Sequence, residues 1–262
     1  MLIFLFAILM RLSGINQVLF GDELFYAETA KDSVFVNYYG SHPPISFWLH
    51  GVWGLLIGAA VWKSRLLVAL FSLANISLTY YLGKKYFDEK TGVWAAFILT
   101  FSAWFTSGSL QLDMDASFVS FFFLITVYFY TKFLERKDNK FLFLTGVFYG
   151  LGILTKYTLV LIGPTLAIYH LFNMPKNKDS LKMFAKYFLI IFSTAFFVFM
   201  LFPIFGFTTN SSSFYASFSH AFDLLAGNTN AQVMKEGINY FLLAIQFSNA
   251  LLLMSPLMIG AL

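Results

Sequence analysis

Two adjacent carboxylates, Asp22 and Glu23, follow an apolar run that ends at Phe20. Where a helix leaves a membrane, such a pair is costly to dehydrate, so it must pair, protonate or stay wet. A carboxylate at that boundary can act as a general base toward a hydroxyl. The alternative is a solvated helix start, because first turns favour Asp and Glu. The acids are followed by Phe25-Tyr26-Ala27-Glu28, a short amphipathic pattern in which Tyr26 offers a ring to a substrate or to the interface. Further on, His42 precedes Pro43-Pro44. A double proline opens a helix and keeps the preceding residue extended, which fixes His42 beside the acids. An interfacial imidazole bonded to backbone is the plainer reading. Asp113 and Asp115 stand two apart before an apolar run, on different helix faces, so only one need point into a shared site and either can cap the helix. Lys156 lies between two short apolar segments, where a charge is functional or paired. It can snorkel, meet an acid, or hold a phosphate as a point charge. Arg65 is a second cation of that kind, a phosphate ligand or an interfacial anchor.

The elements that must position these groups are dictated by composition. The 262 residues are 59% apolar, 21% aromatic and only 11% charged, against ordinary values near 45–50% apolar and about 25% charged. Mean hydropathy is +0.73. A water-soluble fold of this size could not hide that much apolar surface, so the solvent is lipid. Disorder and a nucleic-acid module are excluded. The absence of cysteine removes disulfides, thiolate nucleophiles and thiolate-bound zinc. The expected fold is all-α, a polytopic transmembrane bundle of about eight spans at roughly 20 residues each. The candidates are Leu2–Phe20, Leu66–Leu82, Val93–Ser109, Ala116–Phe133, Phe141–Leu154, Tyr157–Phe172, Phe184–Phe205 and Ile238–Leu262. The first lacks the basic start and cleavage site of a signal peptide.

Charge sets the topology. If Pro44–Trp62 lies in the interface rather than crossing, the clusters Lys84/Lys85/Lys90, Lys132/Arg136/Lys137/Lys140 and Lys176/Lys178/Lys182/Lys186 share one side. That side then holds 11 of the 17 Lys and Arg residues, and the positive-inside rule makes it cytoplasmic. The outer face receives the first loop, 21–65, a second large loop, 206–237, and eight of the 13 acids. The expected localisation is a multi-pass plasma-membrane protein with its site outside. The whole chain, 1–262, reads as a single membrane module. The apolar run still open at Leu262 suggests truncation at the C-terminus.

The ordered motifs resemble one family. A helix ends in Asp-Glu plus aromatic; His-Pro-Pro follows; then come Arg-Leu-Leu-Val-Ala-Leu-Phe and Gly-Lys-Lys-Tyr-Phe. Met-Asp-Ala opens a Phe-rich span, and Gly-Leu-Gly-Ile-Leu-Thr-Lys closes the set. From about Leu2 to Phe172 this resembles the N-terminal membrane module of GT-C glycosyltransferases. It is most similar to dolichyl-phosphate-mannose–protein mannosyltransferases and to the aminoarabinose transferases that modify lipid A.

The resemblance implies transfer of a sugar, mannose or a related one, from a polyprenyl-phosphate donor to a hydroxyl of a protein or glycolipid, with inversion. In its terms Asp22 is the base and Glu23 its helper. Asp115 is the second outer acid. His42 matches the mannosyltransferase motif, where the aminoarabinose enzymes usually have Lys-Pro-Pro. Lys156 and Arg65 match basic positions that receive the lipid phosphate. A divalent ion near Glu23, His42 and Asp115 would suit carboxylate and imidazole chemistry, but the spacing is scattered and no metal is assigned. The rival classes are a transporter or flippase of a lipid-linked sugar, which would carry midspan charges such as Arg11, and a non-catalytic subunit of the same fold. Asn210-Ser211-Ser212 also matches a glycosylation acceptor on the expected outer side.

Overall fold

A computed structural model describes residues 2–19, 23–29, 43–112 and 117–208. All belong to one compact unit, Met1–Ser217. Asp22, His42, Asp113 and Asp115 lie outside the described residues, as do the loop beyond 208 and the expected span Ile238–Leu262.

The described chain is helical and carries no strand. Its helices are α1 (Leu2–Ser13), α2 (Glu23–Thr29), α3 (Ile45–Ile57), α4 (Val61–Tyr86), α5 (Glu89–Phe101), α6 (Ala103–Gly108), α7 (Phe118–Arg136), α8 (Asn139–Ile153), α9 (Ile162–Asn173) and α10 (Lys178–Thr208), with a 3₁₀ turn at Tyr157–Leu161 before α9. Three stretches, Val61–Tyr86, Phe118–Arg136 and Lys178–Phe202, are long and apolar enough to cross a membrane. The expected span Val93–Ser109 is broken in two, because Ser102 ends α5 and caps α6 by accepting from the Phe105 N–H at 3.4 Å. The first helix stops at Ser13 rather than running to Phe20. There Gly14, Asn16 and Gln17 replace the apolar pattern, and the chain turns.

The ends of the bundle are chemically distinct. At one, Lys85 pairs with Glu135, whose carboxylate also accepts from the Tyr86 hydroxyl. Asp88 and Asp138 cap α5 and α8 there, accepting from the N–H groups of Thr91 and Lys140. Lys137 shares a cavity wall with Tyr169, Asn173 and Pro175. The loops that carry the three basic clusters therefore meet at one end, as the charge pattern predicts. Backbone N–H donors hold the Asp88 and Asp138 carboxyls below the usual range.

α3 begins and ends at the opposite end. The Ile45 N–H donates to the Leu154 carbonyl at 3.0 Å. At the other terminus Lys63 donates to the Ile57 carbonyl, and the Trp53 indole N–H donates to the Lys63 carbonyl at 2.7 Å. Thirteen residues span only about 20 Å. Ile45, Phe47 and His50 are buried while Val52, Leu55 and Leu56 are exposed, so α3 is a half-buried helix of the kind that lies along a membrane surface. Pro44 is its N-cap and Gly58, at φ 92°, its C-cap. That left-handed turn is one a side chain would strain.

The core is aromatic and centred on α7, α8 and α10. α8 meets α10 through Gly146 and Gly150, a small-xxx-small pair that lets backbones approach closely. A Cβ on Gly146 would lie 2.7 Å from the Ile191 carbonyl oxygen, and one on Gly150 2.8 Å from that of Ala195.

Candidate functional site

The end of the bundle opposite the lysine loops is held by one carboxylate. Glu23 opens α2, and its side chain is buried. Arg65, in the first turns of α4, donates through Nη2 to Glu23 Oε1 at 3.1 Å and Oε2 at 3.2 Å. The same Oε1 accepts the backbone N–H of Leu112 at 3.0 Å. Arg65 also donates to the carbonyls of Ile15, Gln17 and Val18 (3.2 Å to the last), which the early end of α1 leaves without helical partners. One ion pair thus joins the chain after α1, the start of α2, the start of α4 and the segment that follows α6. At 1% and 4% exposed, Arg65 and Glu23 are dry, and a planar guanidinium suits this many-pronged role better than an ammonium.

Around the clasp, Tyr26 stacks on Phe47 with centroids 4.4 Å apart and planes 7° apart. The His50 ring stands edge-on to Phe118 at 5.4 Å. Neither His50 nitrogen has a hydrogen-bond partner among the described residues, and burial pushes this imidazole down to about 4. Asn75 donates to the Ser117 carbonyl at 2.8 Å and fixes the approach to α7. Lys156 is half-buried at the start of the 3₁₀ turn, two residues after the Leu154 carbonyl that holds α3. The Pro-Pro and Thr-Lys motifs, far apart in sequence, are therefore adjacent.

The sequence-selected residues divide into three groups. Glu23 and Arg65 are brought together, in each other's grip rather than open to a ligand. Tyr26, expected to face a substrate, is 2% exposed, its ring taken up by Phe47. Lys156 sits at the same end, and Asp22, His42 and Asp115 lie outside the described residues. Of the three residues weighed for a metal ion, Glu23 alone is described, and its carboxylate oxygens already hold Arg65 and Leu112. Sequence reasoning did not single out His50 or the tie between Asn75 and Ser117. Ser46 and His50, one helical turn apart and polar on the buried face of α3, were the available signal.

Solved structures share this all-helical fold. ArnT from Cupriavidus metallidurans in the apo state superposes with a TM-score of 0.58 at 19% identity, over 80% of this chain and 43% of that one. The same protein bound to undecaprenyl phosphate gives 0.60 at 17% identity, over 81% and 43%. In sequence, an uncharacterized protein of Aquifex aeolicus (strain VF5) is 26% identical over 185 residues, which is 66% of this chain and 37% of that protein. The chain thus spans under half the length of the relatives it matches. The dolichyl-phosphate-mannose–protein mannosyltransferase family model matches residues 41–202, more than half of the chain. The chain belongs to that family and is an integral membrane protein.

Proposed function

We propose that this chain is the membrane module of a glycosyltransferase that moves a sugar from a polyprenyl-phosphate carrier to an acceptor hydroxyl on the extracytoplasmic face. Family membership supports the transferase class, and the ArnT fold, which binds undecaprenyl phosphate in one of its structures, supports the carrier. The observation that supports this reading most is the Glu23–Arg65 clasp, which ties the segment entering at Glu23 to the segment leaving at Leu112. Those segments continue into Asp22 on one side and Asp113-Met114-Asp115 on the other.

In this reading Asp22 accepts the proton of the acceptor hydroxyl while that oxygen attacks the anomeric carbon from the back face. The bond from that carbon to the carrier phosphate breaks, configuration inverts, and the bonding pair leaves with the phosphate. The leaving group is already stabilised as a phosphate anion, so it needs a cation more than an acid. Lys156 supplies that cation. Glu23 and Arg65 act as positioning residues that hold the two acid-bearing segments, and Tyr26 supports α2 from within. His42 and Asp115 orient sugar and acceptor. The sugar is mannose or a relative of it, and the acceptor is a protein or glycolipid hydroxyl. The lysine-rich end faces the cytoplasm of a plasma membrane, which puts the clasp outside.

The transporter reading loses its main support. Arg11 is buried and donates to Ser72 Oγ at 2.9 Å and to the Ala7 carbonyl at 3.2 Å, with its guanidinium over Phe105. It ties α1 to α4 and α6. The test of the phosphate assignment is binding of a polyprenyl-phosphate sugar to Lys156→Ala and wild type in detergent. A lost charge-assisted contact weakens binding by about tenfold or more; equal affinities would remove Lys156 from the site.

A further inference from the structure

At the lysine-rich end, α7, α9 and the start of α10 enclose a cavity of about 210 Å³. Its polar wall is Lys137, His170, Asn173 and Ser180, and its apolar wall includes Leu134 and Met183. Tyr169, in its lining, is 52% exposed, and Phe172, next to the lining residue Asn173, is 83% exposed; in a membrane protein such apolar surface is acyl-chain territory.

Two features of Lys137 bear on this cavity. Lys84, Lys85, Lys132 and Lys140 at this end each meet a carboxylate. Among the described residues Lys137 has no ion-pair partner, and its ammonium rests over the Phe133 ring at 5.5 Å. It is also the C-cap of α7, at φ 54° and ψ 26°, and the sole non-glycine with positive φ among the described residues. That left-handed position is ordinarily glycine, and a side chain there strains the backbone. A lysine held in a strained cap, exposed, unpaired and on a cavity wall, is placed for an anion. His170 faces the same space, with Nδ1 engaged by the Tyr130 hydroxyl at 2.6 Å. That contact fixes the ring and leaves Nε2 available to a ligand.

We propose that this cavity binds the headgroup of an anionic phospholipid of the leaflet at the lysine-rich end. Lys137 and His170 meet the phosphate, Asn173 and Ser180 meet the headgroup hydroxyls, and the acyl chains lie on the apolar surface around Phe172. The site is separate from the clasp, at the other end of the bundle, and does not depend on the sugar-transfer reading. Basic pockets between transmembrane helices are a recurrent way of holding such headgroups.

The test is a thermal shift of the full chain in detergent with phosphatidylglycerol, phosphatidylcholine or inorganic phosphate added. Phosphatidylglycerol raises the Tm of wild type, and the other two do not. Lys137→Gly relieves the backbone and so keeps or raises the Tm without lipid, while phosphatidylglycerol binding weakens about tenfold. His170→Phe keeps the aromatic packing and weakens binding as well. If Lys137 serves only the α7 terminus, Lys137→Gly binds phosphatidylglycerol like wild type, and the proposal fails. An equal shift from phosphatidylcholine, or from inorganic phosphate, overturns the anionic-lipid assignment.

Discussion

Replacing Glu23 by Gln removes one charge from a pair buried to 1% and 4% exposure. At 3.1 Å, two unit charges attract by roughly 5 kcal/mol with an effective dielectric of about 20. Glutamine still accepts from Leu112 and can accept once from Arg65, so part of the network survives. The guanidinium is left buried with no counter-charge, and breaking such a pair costs about 3–5 kcal/mol. The double variant Glu23→Leu/Arg65→Met removes both charges together. Replacing a buried pair with apolar groups is often neutral or better, but here the Leu112 N–H and the carbonyls around Gln17 lose their partners, at about 1–3 kcal/mol for each that stays buried. The double variant is therefore expected below wild type, yet well above the sum of its single changes. The assay is reversible unfolding in mixed detergent micelles, run on Glu23→Gln and as a double-mutant cycle over wild type, Glu23→Leu, Arg65→Met and the pair. A Glu23→Gln loss under about 1 kcal/mol, the range of exposed pairs, would refute the dry clasp. So would strictly additive single changes.

Two further outcomes are expected. His50, on surface-lying α3, is held neutral by burial with its pKa lowered to about 4, against an ordinary value near 6.5. Its contribution is complete above about pH 6.5 and is lost as pH falls toward 4; His50→Leu flattens that part of the stability profile, and an unchanged slope would contradict the burial. Because the chain has no cysteine, Thr158→Cys and Lys140→Cys report sidedness directly. A membrane-impermeant maleimide added to intact cells labels the first and spares the second, and labelling of both from one side would undo the topology.

The parts of the fold legible in the sequence were those with a local physical cause. Apolar length located the three helices long enough to cross a membrane, Pro43-Pro44 located the start of α3, and the lysine clusters located one end of the bundle. The break at Ser102 was less visible, because a serine inside an apolar run ends a helix only when its side chain turns back to cap the next one. The clasp was harder still. Glu23 was visible as a costly carboxylate and Arg65 as a costly cation, at the same expected end, but 42 residues separate them. Pairing at that range depends on which helices pack, which periodicity does not encode. The resemblance gives Glu23 as base helper and Arg65 as phosphate ligand, roles that treat each side chain singly. Burial turns both toward each other. Arg11 followed the same course: a midspan charge suggested transport, and Ser72, on a helix 61 residues away in sequence, absorbs it.

The central claim is sugar transfer from a polyprenyl-phosphate donor with Asp22 as base. The direct measurement is incorporation of radiolabelled sugar from such a donor into membranes that contain the full-length protein, wild type beside Asp22→Asn, with donor binding measured in parallel. Transfer by wild type that falls to background in Asp22→Asn, with donor affinity unchanged, is the expected result. Equal transfer by both would contradict the base, and donor binding without transfer in either would contradict the enzyme.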